Sequence, residues 1–213
     1  MRAQLLITPI LAVAVATACT ETGPTELEAP EAESSISEAE SSISEAIPQT
    51  EMASVAKSTS IVSEFPNGAV VPGASARLSR TANGVNGWLT TNGLTTGNVY
   101  TLWVVVFNHP EECLEANECR LADINEDDPA VGIDLMNAGG HVAGGSGRGT
   151  FAGRVKVGDL GIRGVGLQDA FEPEIHLVVR DHGPKLPGAT QLKEFAGGCD
   201  VYACANVQDA LHF

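Results

Sequence analysis

Two sets of residues in this chain have the types and spacing to hold an ion. The first is the acidic run Asp123-Ile124-Asn125-Glu126-Asp127-Asp128, which follows the D-x-N-x-D opening of a calcium loop, with Asp134 at the twelfth position. Calcium takes six to eight oxygens, so carboxylate and amide side chains at alternate positions suit it. Asp123, Asn125, Asp127 and Asp134 are therefore the candidate calcium ligands. Asp128 stands where such a loop needs glycine for its sharp turn, Pro129 stiffens the next step, and Asp134 is a shorter closing arm than glutamate. The competing reading is an exposed acidic loop whose solvated charge keeps a sheet edge soluble.

The second set is histidine. Of His109, His141, His176, His182 and His212, the pair His176 and His182 has an even spacing within one expected strand. Both therefore share a face with Arg180. At strand rise they stand about 20 Å apart, too far for one ion, so a transition-metal site would need partners from other strands. The simpler reading makes His176 and His212 half-buried sheet positions with hydrogen-bonded rings, and places His109, His141 and His182 at loops or strand ends. Nucleophilic chemistry has less support. Ser146 in Gly144-Gly145-Ser146-Gly147-Arg148 lacks the second glycine of a nucleophile elbow. The glycines between Gly139 and Gly153 do not open a helix and so form no phosphate cradle.

Cys113, Cys119, Cys199 and Cys204 form two close pairs. Four cysteines allow three connectivities, of which Cys113–Cys119 with Cys199–Cys204 is the simplest. A site built from all four thiolates fits poorly, because zinc knuckles prefer two to four residues between paired cysteines, and here five and four intervene.

The elements that would position these residues begin late in the chain. Residues 20 to 59 carry nine Glu and no Lys or Arg before Lys57, and the heptapeptide AESSISE stands twice in tandem, at Ala32–Glu38 and Ala39–Glu45. One isoleucine per repeat is too little for a coiled-coil seam. Low hydrophobicity with one-sided charge predicts a disordered tether over residues 19–59, spanning roughly 35 Å as a flexible coil. The tether holds more than half of the net charge of −15. Such acidity makes nucleic acid and anionic lipid poor partners.

Ahead of the tether, Met1-Arg2 gives a positive start, Leu5 to Val15 is a short apolar run, and Ala16-Thr17-Ala18-Cys19 closes it. This resembles a bacterial lipoprotein signal, removed at residues 1–18. The resemblance implies that Cys19 is lipidated, anchoring the chain to a membrane and leaving the four later cysteines to pair in an oxidising compartment. An ordinary signal cleaved near Ala18, leaving a soluble exported protein, is the alternative. Thr20 is not the aspartate associated with inner-membrane retention, which favours the outer membrane.

Residues 60–213 have the size of one domain, and the patterns are those of strands. Ala76–Thr81 and Val85–Thr91 flank Asn83-Gly84, a tight-turn dipeptide. Val99–Phe107 is apolar on both faces and predicts a central strand covered twice. Ile133–Met136 and His141–Ala143 are weaker strands. Thr150–Val157 alternates, with Phe151, Gly153, Val155 and Val157 on one side and Thr150, Ala152, Arg154 and Lys156 on the other. Ile175–Asp181 is another strand, and Val207–Leu211 is a strand or a short helix. Many short strands at regular spacing predict an all-β, antiparallel Greek-key β-sandwich.

The run Gly93-Leu94-Thr95-Thr96-Gly97 with the aromatic strand after it resembles the turn-into-strand of CHRD domains and copper,zinc superoxide dismutases. The segments 140–154, 174–184 and 204–213 are similar to a group of exported bacterial proteins. The dismutases carry two copper-binding histidines on the strand after that turn. Tyr100-Thr101-Leu102-Trp103-Val104-Val105 has none, so the resemblance implies architecture without dismutase activity. The expected role is a non-catalytic envelope lipoprotein that holds out a stapled β-sandwich for structure, or for binding a protein, glycan or small ligand, with calcium as a possible ion. The alternative is an exported metal-dependent enzyme using His176, His182, His141 or Asp181.

Overall fold

The fold is that of a computed structural model describing residues 54–126, 128–188 and 190–213. The expected signal, Cys19 and the tether as far as residue 53 lie outside the described residues. Nine strands and one short helix follow one another as β1 Ala56–Ser60, β2 Ser63–Glu64, β3 Ser75–Thr81, β4 Gly84–Thr91, β5 Asn98–Phe107, α1 Leu121–Glu126, β6 Ile133–Val142, β7 Gly149–Lys156, β8 Glu174–Pro184 and β9 Ala205–His212. They form a four-stranded sheet, β1-β3-β4-β7, and a five-stranded sheet, β2-β9-β8-β5-β6. Every pairing between them is antiparallel. From β5 a long connection carrying α1 leads back antiparallel as β6, the chain crosses to the other sheet as β7, and it returns as β8 on the far side of β5, which is a Greek-key path.

The inner faces follow from alternation. On β3, Ala76, Leu78 and Arg80 are buried while Ser75 and Arg77 face water. On β7, Phe151 and Val155 are buried and Thr150, Ala152, Arg154 and Lys156 are exposed. Together with Tyr100, Leu102, Val104 and Val106 of β5 and Ile175, Leu177 and Val179 of β8, they make the core between the sheets. The other face of β5 is equally apolar. Trp103, Val105 and Phe107 join Ile133, Leu135, Val178, Cys113 and Cys119 in a second buried cluster, outside the sandwich. At about 25 cal/mol per Å² of apolar area, each such side chain contributes roughly 2 kcal/mol when covered.

Two connections bear on that outer face, and each is stapled. Cys113–Cys119 and Cys199–Cys204 are disulfides, the expected pairing. In the chain-entropy model, loops this short contribute about 2 kcal/mol each by restricting the unfolded chain.

Four details differ from the sequence-based expectations. Strand β1 lies inside the stretch expected as tether, so the folded region starts by Ala56 and not at residue 60. The expected β6 fragments are one strand with a register shift against Leu102/Trp103. The β3–β4 turn is Ala82-Asn83, because Thr81 already pairs with Gly84. At φ 137°, Gly84 lies against β7 so closely that a Cβ would sit 2.1 Å from the Val155 carbonyl oxygen. Finally, the acidic run begins inside the helix α1, at a place where the sequence predicts a loop.

Inside the sandwich, His212 is 1% exposed. Its Nδ1 shares a hydrogen bond with Ser58 Oγ at 2.9 Å, and its Nε2 has no partner among the described residues. Burial, then the charges of Arg80 and His176, push its pKa down to about 4. The folded state therefore refuses a proton that the unfolded chain accepts near pH 6.5, and stability falls as pH drops from 6.5 towards 4. The expected loss is on the order of 3 kcal/mol. His212→Asn, which can keep a bond to Ser58, should flatten the difference between urea midpoints measured at pH 7 and pH 4.5.

Candidate functional site

Residues of β8 alternate, so Glu174, His176, Val178, Arg180 and His182 stand on the outer side of the five-stranded sheet. There they meet the outer side chains of β5 and β9. Over this surface lies a groove of ≈ 370 Å³. Trp103, Val105, Leu135 and Val178 make its apolar floor, while Phe65, Ile124 and Phe195 wall it. Phe195 meets the Trp103 ring edge-on at 5.0 Å, and the Arg180 guanidinium lies 3.9 Å above Phe195. His176, Asn206 and Asp209 line the groove from β8 and β9, and Arg120 lines it from the segment before α1.

His176 is fixed from two directions. Its Nε2 is 2.6 Å from Glu174 Oε1, and its ring packs at 4.9 Å against Phe107. The other carboxylate oxygen of Glu174 accepts from the backbone N–H of Cys119 at 3.3 Å, which joins the first disulfide loop to the groove. Glu174 is only 1% exposed, and a carboxylate so placed needs these donors. Asp209 is half-buried on the neighbouring strand. Loss of water pushes its pKa up, and the charge of His176 opposes that shift. The groove thus offers an apolar slot edged by one imidazole, one carboxyl of raised pKa, one amide and the Arg120 guanidinium.

His182 has a different task. Trp103 Nε1–H donates to Thr101 Oγ1 at 2.7 Å, and that hydroxyl meets His182 Nε2 at 2.7 Å. His182 Nδ1 is 2.9 Å from the Gly197 carbonyl. A carbonyl only accepts, so Nδ1 carries the hydrogen and Nε2 takes the one from Thr101. Burial lowers the His182 pKa, and the ring stays neutral. His182 and His176 do share a face, as expected, but each ring is held by its own partners and no ligand atom lies between them in common. The one group of three metal-type ligands among the described residues is His182 with Cys199 and Cys204. With its sulfurs joined to each other, that group offers only a nitrogen.

The calcium candidates are also separated by use. Asp123 accepts from Leu114 N–H and Arg120 N–H, both at 2.7 Å, and so caps α1 and ties it to the first disulfide loop. Asp134 is fully buried and accepts from the backbone N–H groups of Leu135, Gly161 and Gly166 at 2.7, 3.1 and 2.6 Å, holding the connection after β7. Asn125 is exposed on α1, and Asp127 lies outside the described residues. The oxygens of Asp123 and Asp134 thus face N–H donors belonging to two different segments.

Glu174, Trp103 and Asp209 were not singled out from sequence. The signal for Glu174 was its place two residues before His176 on a strand. For Asp209 it was the alternation of β9 beside β8. Neither acquires meaning without the strand order.

No family model, curated protein or solved structure matches this chain. The groove has to be read from its own chemistry. Among the described residues every cysteine is in a disulfide, and the groove lining contains no serine or threonine. It therefore presents no hydroxyl or thiol nucleophile to a ligand.

Asp134→Asn should lower stability by about 3 kcal/mol, since the new amide turns a donor towards backbone N–H groups. Chelator should leave the thermal midpoint of the parent unchanged. Calorimetry on both proteins checks the two statements together.

Proposed function

We propose that this chain is a non-catalytic binding protein, exported and held to the outer membrane through lipidated Cys19, whose β-sandwich takes a small ligand in the groove over β5 and β8. The observation that carries the reading is the groove's composition: an aromatic and aliphatic slot edged by a few polar groups. Its volume of ≈ 370 Å³ falls in the range of small-molecule sites, and such sites are mostly apolar with a small number of placed polar groups. The ligand that suits it has a flat apolar body and one hydrogen-bond donor directed at Asp209 or His176.

The walls are rigid for a physical reason. The floor is sheet, and the covering segments are each closed by a disulfide and tied down by His182, Glu174 and Arg180. Little ordering is then left for the ligand to impose, which favours affinity.

N-phenyl-1-naphthylamine, an apolar amine whose emission rises on leaving water, tests the site. The full chain should bind it saturably at one site. Val178→Trp, which fills the slot, should abolish the rise while keeping the parent's far-UV circular dichroism and a cooperative melt, at a midpoint lowered by overpacking. Asp209→Asn should weaken binding and remove its decline as pH falls through the Asp209 titration. Undiminished binding by the Val178→Trp protein overturns the assignment to this groove.

The anchor is tested separately. Cys19→Ser should move the protein from the membrane fraction to the soluble fraction of the cell envelope, and intact mass should show the loss of the acyl groups.

A further inference from the structure

The outer face of the four-stranded sheet has a composition unlike the rest of the chain. Antiparallel register aligns its outward side chains into rows. Thr59, Arg77, Trp88 and Ala152 are successive cross-strand partners on β1, β3, β4 and β7. The next row is Lys57, Ser79, Asn86 and Arg154, and Ser75, Thr90 and Thr150 extend the face on the other side. Lys156 stands two residues beyond Arg154 on the same side of β7. The charged side chains on this face are thus Lys57, Arg77, Arg154 and Lys156, all cationic, in a chain with 27 acidic and 12 basic residues. Among the described residues, none of the four has a carboxylate within ion-pair reach.

In the middle stands Trp88, 45% exposed. It sits on β4, an interior strand, so its position is fixed by neighbours on both sides. Ala152 beside it is too small to cover the indole. The other tryptophan, Trp103, is fully buried on the opposite sheet. An exposed indole on an interior strand, ringed by hydroxyls, an amide and cations, is an arrangement with a chemistry of its own.

We propose that this face binds an anionic polysaccharide. A sugar ring lays its C–H face on the Trp88 indole, whose electron-rich face attracts the polarised hydrogens. Ser75, Ser79, Asn86, Thr90 and Thr150 exchange hydrogen bonds with its hydroxyls. Arg77, Arg154 and Lys57 meet the carboxylates of neighbouring units, with Arg154 and Lys57 three inter-strand steps apart, roughly 14 Å. Charge complementarity selects the acidic polymer over a neutral one, because four cations with no carboxylate in reach among the described residues leave a local potential of opposite sign. Other occupants fit less well. A protein interface needs an apolar centre, and Trp88 is the one large apolar side chain here. Single-stranded nucleic acid is held by successive stacked bases on several aromatics, and this face presents one, Trp88. This face is on the sheet opposite the groove, so the proposal stands independently of the small-ligand reading.

Titration of the full chain with polygalacturonate, followed by tryptophan emission and by calorimetry, tests it. The expected result is a saturable change in emission from Trp88, weakened by added salt, and no change with neutral dextran. Trp88→Ala should weaken calorimetric binding roughly tenfold or more, and Arg77→Gln with Arg154→Gln should do so by a similar factor while lessening the salt dependence. Both variants alter exposed side chains, and far-UV circular dichroism confirms that they fold. The proposal is overturned if polygalacturonate does not bind, or if Trp88→Ala binds it like the parent. Tighter binding to oligothymidylate or to phosphatidylglycerol vesicles than to polygalacturonate overturns it as well, in favour of nucleic acid or a membrane surface.

Discussion

A strand that is apolar on both sides must be covered on both sides, and β5 imposes that requirement on everything around it. Tyr100, Leu102, Val104 and Val106 call for a second sheet, and β3, β4 and β7 supply it. Trp103, Val105 and Phe107 call for cover on the other side, where no third sheet exists. Loops are poor cover, because their backbone groups need partners and their entropy resists ordering. The chain answers with segments that are cross-linked and hydrogen-bonded down onto the sheet. Incomplete cover leaves the groove.

The buried polar groups are best understood as fastenings for that cover. The chain from Trp103 through Thr101 and His182 to Gly197 fixes the second disulfide segment to β5 and β8. Glu174 joins the first disulfide segment to His176. Asn108 reaches the carbonyls of Gly132 and Gly166 at 2.6 and 2.7 Å and accepts from Gln168 N–H. Asp134 does the same work for the connection after β7. Buried polar atoms left without partners would each cost roughly 1–3 kcal/mol, so such groups fix one arrangement of loops against the alternatives.

Strand patterning was plain from the sequence wherever one face is buried. The alternation of Thr150–Val157 and the two-sided run Val99–Phe107 both predict what the sheets contain. The limits have physical causes. Strand β1 is a short run of five residues, Ala56 and Lys57 followed by three hydroxyl side chains, at the end of an acidic tract, and its stability comes from pairing with β3, which composition does not encode. The D-x-N-x-D spacing reads as a ligand pattern, yet the same short acids serve equally as helix caps and N–H acceptors. The cationic rows around Trp88 are scattered over a hundred residues and become neighbours only through strand register. For the same reason Asp209 is silent in sequence, although it stands one strand away from His176.

The connectivity of the five-stranded sheet bears on when this domain can form at all. Strand β9, the last described, lies inside the sheet between β2 and β8, so the earliest segment of that sheet waits for the latest one. Arg80 reinforces the arrangement by donating to the His212 carbonyl at 3.2 Å. Most contacts are therefore distant along the chain, which slows folding. While synthesis proceeds from the N-terminus, β2 and β8 have vacant edges and the sandwich stays open. A polypeptide built this way cannot complete its five-stranded sheet before the last described strand has left the ribosome, so topology alone delays closure.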